Sequence, residues 1–479
     1  MGRLRDYDMK KLFSFDLTDM PYFLLSKDGN YLAGNKKAEL QSLLKAGTIL
    51  RCELPDNEKD SVVIEDFMAE ARKIETRRKK FNLKTFGDAV VNIWETCCTT
   101  GKCVKRIDIV FDCYAKDSIK SLERERRSIS ADSMRMIIEN IDQPLPIASE
   151  FARFWSSSEN KIALQQFFIT WLVQHHNDVI PVYLGGCHLA DKNICYKLVN
   201  GKLTDVPALK CSYDEADDRL IYHLNHAVRT DNISCAHVVS SDTDIFVSLM
   251  YHILTWSRYG LQEVWTHHGG SVNPVHESVS NLPVEVTRIL PIIHALSGCD
   301  TTSKIGTKLQ AYNAANNPEH YCLKYFGLEA LDDNLFNDAE KFLLQCPPQK
   351  ERKNVASFDE LRYQLHHKHV SSLPIDKFPC TTRSVKKHIQ RSYYQCNLWL
   401  CAATEPGPRL NPIDFGYSVD ENEYLYPDIR IEPSIPPDFP NPCKCEKCAR
   451  EKVCPCRVLK IPCCDFCKCK RKCANPYTV

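Results

Sequence analysis

The chain has 479 residues, 43% of them apolar and 10% aromatic, which is enough for two or three domains with substantial cores. Its 62 basic and 61 acidic residues nearly cancel, so no whole-chain attraction to a polyanion is implied and any nucleic-acid surface must be local. The N-terminus lacks the apolar run of a secretory signal, "MG" is not followed by the Ser or Thr of a myristoylation site, and no stretch approaches about 18 apolar residues, so neither secretion nor a membrane partner is expected.

Residues 1–60 read as a lead-in without clear pattern. From 61 to 310, short apolar runs alternate with helical periodicity. "VVI" (62–64), "IDIVF" (107–111), "VIPVYL" (179–184) and "AHVVS" (236–240) predict buried strands, while "FGDAVVNIWETCC" and "KIALQQFFITWLVQHH" predict amphipathic helices. Such alternation points to an α/β domain with a mainly parallel sheet. Residues 311–403 read as a mainly helical extension. Nine prolines between Thr404 and Pro442, with few apolar runs, predict an extended linker over 404–442. A cysteine-rich module over 443–475 follows.

Acidic residues stand at the ends of several predicted elements. "SVVIEDFMAE" closes a strand with Glu65 and Asp66, and "IDIVFDCY" closes another with Asp112. "SYDEADDRLIYHL" sets Glu215 and Asp217 at the start of a helix, and "HVVSSDTDIFVSLM" sets Asp242 and Asp244 between a strand and a helix. "HALSGCDTTSKIG" places Asp300 after a small, flexible triplet. Taken singly, an acid such as Asp242 is an ordinary helix cap facing the positive end of the helix dipole. Taken together, acids at the carboxyl ends of strands can converge on one crevice. Phosphodiester hydrolysis with two Mg²⁺ ions about 3.5–4 Å apart needs several carboxylates to hold the metals, some of them through water.

The order of these acids resembles the flap-endonuclease branch of the PIN-like nucleases. That family has a strand-end Asp, a "VFD" before a basic helix, an acidic pair, a "D-x-D" and a "GCD". The matching residues are Asp66, Asp112, Glu215, Asp217, Asp242, Asp244 and Asp300, with Glu65 competing for the place of Asp66. Over roughly 61–310 the resemblance implies a PIN-like three-layer α/β fold, Mg²⁺ or Mn²⁺ at these carboxylates, and cleavage of DNA or RNA. It also implies that Lys120, Arg124, Arg126 and Arg127 of "AKDSIKSLERERRS", and Lys308 after Asp300, grip substrate phosphates. The same basic helix, read from its alternating Glu and Arg alone, is a solvated, salt-bridged face. The turn after Asp300 holds one glycine where the family has a longer Gly-rich hairpin, and 128–210 is unlike the family's bridge, so flap specificity does not carry over.

Ten of the 25 cysteines lie between Cys443 and Cys473. Dense thiols in a chain without a signal peptide favour metal over disulfides, and hence a reducing compartment. Thiolates are preferred structural zinc ligands, four to an ion. The tail resembles half of a tesmin-type CXC domain, which implies three Zn²⁺ on nine cysteines: Cys443, Cys445, Cys448, Cys454, Cys456, Cys463, Cys467, Cys469 and Cys473. Either Cys463 or Cys464 is then spare, and spacing favours Cys463 as ligand. Ten Lys/Arg against three Asp/Glu over 443–473 leave a basic patch of roughly +4 once thiolates and zinc are counted, suited to phosphate. The resemblance implies DNA binding and nuclear localisation. A zinc-stapled protein-interaction knob is the alternative for the tail, and a DNA-binding or chromatin scaffold that no longer cuts, possibly transposon-derived, is the alternative for the chain.

The remaining motifs carry less. The pairs His175-His176 and His267-His268 and "HHKH" (366–369) lack a partnered acid motif and read as surface histidines. "TRRKK" (76–80) and "KCKRK" (468–472) are either import signals or plain charged surface. No phosphate-binding glycine loop is present, which excludes a nucleotide-driven motor of that type.

Overall fold

A computed structural model describes residues 8–18, 21, 23–26, 37–49, 51, 53–54, 59–114, 118–119, 134–187, 191–268, 270–346, 355–368, 378–404, 410–428, 436, 444–446, 448, 454–458, 468–469 and 474. Eight strands form one sheet: β1 (Ser61–Asp66), β2 (Val104–Val110), β3 (Val182–Gly185), β4 (Cys195–Val199), β5 (Lys202–Asp205), β6 (Cys235–Val239), β7 (Glu263–His268) and β8 (Ser271–Pro274), in the order β5-β4-β3-β2-β1-β6-β7-β8. The five central strands, β3-β2-β1-β6-β7, are parallel. Antiparallel hairpins extend both margins.

The central strands are mainly apolar because helices cover both faces, with Glu65, Arg106, Asp108 and His237 buried among the aliphatic residues. Side chains alternate across β1, so Val62 and Ile64 enter one core and Val63 the other. On the Val63 face pack α1 (Phe67–Ala71), α2 (Phe86–Thr99) and α3 (Ser158–His175), through Phe67, Ile93, Phe168 and Leu172 among others. A reciprocal Thr85–Asp88 capping box starts α2. The opposite face holds α4 (Ala216–Thr230), α5 (Thr243–Trp256) and α6 (Val284–Leu296), through Leu220, Leu224, Ile245, Leu249 and Ile292. The result is a three-layer α/β arrangement.

In the helical region after 310, Leu343, Ile389 and Trp399 belong to the same buried cluster as Val62 and Ile64. The region's principal element follows α7 (Lys308–Ala315) as the 20-residue α8 (Thr382–Cys401). Helix α8 is tied to α6 by His388 Nε2 donating to Leu296 O (2.8 Å) and by Ser392 Oγ donating to Ala295 O (3.2 Å). Leu24, Leu25, Leu40 and Leu44 of the lead-in join this core as well.

The expected extended linker is partly folded. Residues 412–415 form a 3-10 turn with Pro412 at its start, and Tyr417–Val419 pairs antiparallel with Leu425–Pro427. Proline at the first position of a helical turn costs no hydrogen bond, and buried Tyr417 and Leu425 anchor the hairpin against Tyr394 of α8. Proline content alone therefore misled. Among the described residues no helix is long and apolar enough to cross a membrane.

Candidate metal centre

After β1 the chain builds outward to β2 and β3, then returns to place β6 on the other side of β1. The carboxyl ends of β1 and β6 thus border the crevice where strand order reverses, the place where open α/β sheets hold their ligands. Asp66 ends β1, Asp112 follows β2, and Asp242 and Asp244 follow β6. Asp217 sits in the first turn of α4.

Local chain chemistry fixes several of these acids. Asp66 caps α1, its carboxylate accepting from Met68 N at 2.9 Å. Asp242 caps α5, accepting from Asp244 N at 2.9 Å, while its own amide donates to Ser240 Oγ at 3.1 Å. Asp112 accepts from Ala216 N at 3.0 Å, joining the end of β2 to the start of α4. Glu215 accepts from Ser118 Oγ at 2.9 Å.

Asp217, Asp242 and Asp244 each offer a carboxylate oxygen, and the three oxygens lie within 4.8 Å of one another. Capping and clustering coincide at Asp242, since a helix start after a strand serves both. Burial pushes the Asp66 carboxyl well above its usual range, and the charges of Asp112 and Asp217 push it further, against the amides of Ala69 and Met68. Repulsion of this kind is what a divalent cation relieves. An all-oxygen donor set of this sort suits a hard cation.

Glu65 does not share the site. Strand alternation turns it to the opposite face, fully buried, where burial and then Glu70 raise its carboxyl. Asp300 is exposed in the turn after α6 and lies outside the triad. Asp214 and Asp218, which flank the acidic pair in sequence, line with Glu215 and Asp217 a cavity of about 540 Å³ walled by Leu398 and Ile413.

Lys308 requires a correction. In place of reaching toward phosphates, it is buried behind the triad, with Nζ sharing its three protons among His294 Nδ1 (2.9 Å), His294 O (2.9 Å), Ser297 Oγ (2.8 Å) and Gly298 O. The turn from α6 to α7 causes this. Gly298 has φ 106°, and a Cβ there would stand 2.7 Å from the Cα of Lys304, so only glycine permits the fold-back. Lys308 then meets the carbonyls that α6 leaves unpaired at its end. Lys120, Arg124, Arg126 and Arg127 lie outside the described residues.

Sequence reasoning missed His294. Its Nε2 lies 2.8 Å from Asp244 Oδ1, and its ring stacks on Trp399 with centroids 5.5 Å apart. A lone histidine in an apolar helix carries no signal of such a role.

In the tail, the sulfurs of Cys445, Cys448 and Cys454 lie within 4.8 Å of one another and could hold a metal. Cys456 and Cys469 are buried nearby in sequence. Cys443, Cys463, Cys467 and Cys473 lie outside the described residues. No protein-family model matches the chain, and no curated protein matches it in sequence.

Proposed function

We propose that the chain is a metal-dependent nuclease of PIN-like architecture, hydrolysing phosphodiester bonds of DNA or RNA with Mg²⁺ or Mn²⁺, and directed to DNA in the nucleus by a zinc-bearing CXC tail. The observation that carries the reading is the meeting of Asp217, Asp242 and Asp244 at the reversal point of the sheet, where Asp66 ends β1 and Asp112 follows β2. So many carboxylates in one place repel one another without a cation. Bound there, divalent metal supplies charge for the phosphodiester and a water of lowered pKa. The chain's own part is to fix the acids: amide donors at α1, α4 and α5 hold Asp66, Asp112 and Asp242. The hairpin of 417–427 walls the adjoining cavity with Val419 and Leu425.

For the tail, Cys445, Cys448 and Cys454 supply three of the four thiolates that one tetrahedral Zn²⁺ takes, and nine cysteines sharing three ions complete the proposal. Ten basic residues around them suit phosphate. DNA binding by the full chain is then salt-dependent and lost when a chelator strips zinc.

One observation favours a second reading, in which the fold binds and no longer cuts. The described residues lining the acidic cavity include Asp214, Glu215, Asp217, Asp218 and Glu423 but no lysine or arginine, so metal alone would have to hold the phosphate there. Labelled single-stranded, duplex and flapped DNA and RNA, incubated with the purified chain in Mg²⁺, Mn²⁺ or EDTA, separate the two. Metal-dependent cleavage lost in Asp242→Asn and Asp244→Asn supports the nuclease, and binding without cleavage on every substrate supports the scaffold.

A further inference from the structure

Behind the acid triad stand two buried side chains that the proposed chemistry does not use, His294 of α6 and Lys308 of α7. An ammonium has three hydrogens and no lone pair, and around Lys308 four acceptors share those hydrogens, so none of the four can itself carry a proton toward Nζ. With Lys308 Nζ 2.9 Å from Nδ1, that ring nitrogen must accept, so the imidazole proton resides on Nε2 and is donated to Asp244 Oδ1 at 2.8 Å. Lys308 is itself immobilised by the carbonyls of His294 and Gly298 and by Ser297 Oγ. Ser297 gives its own hydroxyl proton to Ile293 O at 2.6 Å, which leaves a lone pair for the lysine. The ring plane is fixed in turn by Trp399, stacked at 17°, whose carbonyl accepts from His252 Nε2 at 2.9 Å. Every rotation in the series from α7 through α6 to Asp244 is thus held.

We propose that Lys308 and His294 are positioning residues of the metal centre: the lysine selects the histidine tautomer, and the histidine Nε2–H locks the Asp244 carboxylate facing Asp217 and Asp242. The inference rests on the metal-site reading. Ligands held in this way by hydrogen-bonding neighbours bind metal more tightly, and loss of such a neighbour typically weakens affinity about 10–100-fold. A purely structural Lys308, serving only to cap α6, predicts no such dependence on His294.

Mn²⁺ binding to the zinc-loaded full chain, followed by electron paramagnetic resonance of the free ion, tests this, with Asp242→Asn as the baseline for tail and surface sites. His294→Leu, which leaves the lysine–carbonyl cap in place, is expected to weaken the Asp242-dependent site about 10–100-fold. His294→Gln, whose side-chain amide can donate to Asp244, is expected to recover most of that affinity. Lys308→Met is expected to match His294→Leu, and the histidine pair keeps the test valid where the lysine variant fails to fold. Unchanged Mn²⁺ affinity in His294→Leu, or a Gln variant as weak as the Leu variant, overturns the positioning role while the metal site stands. A wild-type chain with no Asp242-dependent Mn²⁺ binding overturns both.

Discussion

Two sets of acids in this molecule, one buried within the sheet and one half-buried at its end, face a desolvation penalty and resolve it in opposite ways. Asp108, in the middle of β2, is fully buried, and burial pushes its carboxyl up; Arg106 and His223 more than reverse that push and leave it below the usual range. The guanidinium donates to both carboxylate oxygens, at 2.6 and 2.8 Å, and His223 Nδ1 donates at 2.7 Å. Asp66, at the end of the neighbouring strand, is also pushed up by burial, but Asp112 and Asp217 add to the push and its carboxyl ends well above the range. An acid neutralised within the fold is part of the scaffold. Acids that the fold brings together against their mutual repulsion form a group that could hold a cation.

The largest effect should come from the compensated set. Arg106→Met strands a buried carboxylate and should cost about 3–5 kcal/mol in urea unfolding, without touching the ligands of the metal centre. The uncompensated set should respond the other way. Asp242→Asn or Asp244→Asn should remove metal-dependent cleavage, while metal-free stability holds or rises because a repelling charge is gone; thermal melts in EDTA read this directly. Mg²⁺ at about 100 times its dissociation constant should stabilise the wild-type chain by about 2.7 kcal/mol, and the Asp242→Asn chain by nothing comparable.

The smallest effect concerns pH and has opposite signs in the two sets. Asp66 holds its proton more tightly folded than unfolded, so in EDTA its contribution is present below its ordinary pKa of 3.8 and is lost as pH rises through the elevated folded value. Asp108 contributes above 3.8 and loses its contribution as pH falls through the depressed folded value. Thermal melts against pH should therefore show a loss on the rising side that Mg²⁺ or Asp66→Asn reduces, while the share from Glu65, raised by burial on the other face, remains. Neither Mg²⁺ nor the substitution should alter the loss on the acid side.

Much of the scaffold was legible because parallel strands buried on both faces announce themselves as apolar runs, as in 62–64, 107–111 and 236–240. Strands β4, β5, β7 and β8 were not seen. Asn200 and Gly201 both adopt positive φ, at 48° and 70°, in the tight turn between β4 and β5, and "VNGK" was the signal available. In β7, Glu263, Trp265 and His267 share a face whose polar members find partners only in the folded sheet, such as Lys59 with Glu263 at 2.6 Å.

At the site, the strand-end acids could be found from order and position, yet only strand alternation separates Asp66 from Glu65. Lys308 was misread because a lysine after a glycine turn ordinarily faces water, and only the fold-back at Gly298 buries it. The hairpin of 417–427 was hidden by prolines that occupy turn and strand-end positions, where they cost little.

The claim that these acids meet around a cation is tested most directly by diffraction from crystals of the full chain soaked in Mn²⁺, with data collected at the manganese edge. The account predicts anomalous density within coordination distance of Asp217, Asp242 and Asp244, absent from Asp242→Asn crystals. Well-ordered carboxylates without anomalous density, or density confined to the cysteine tail, would contradict it.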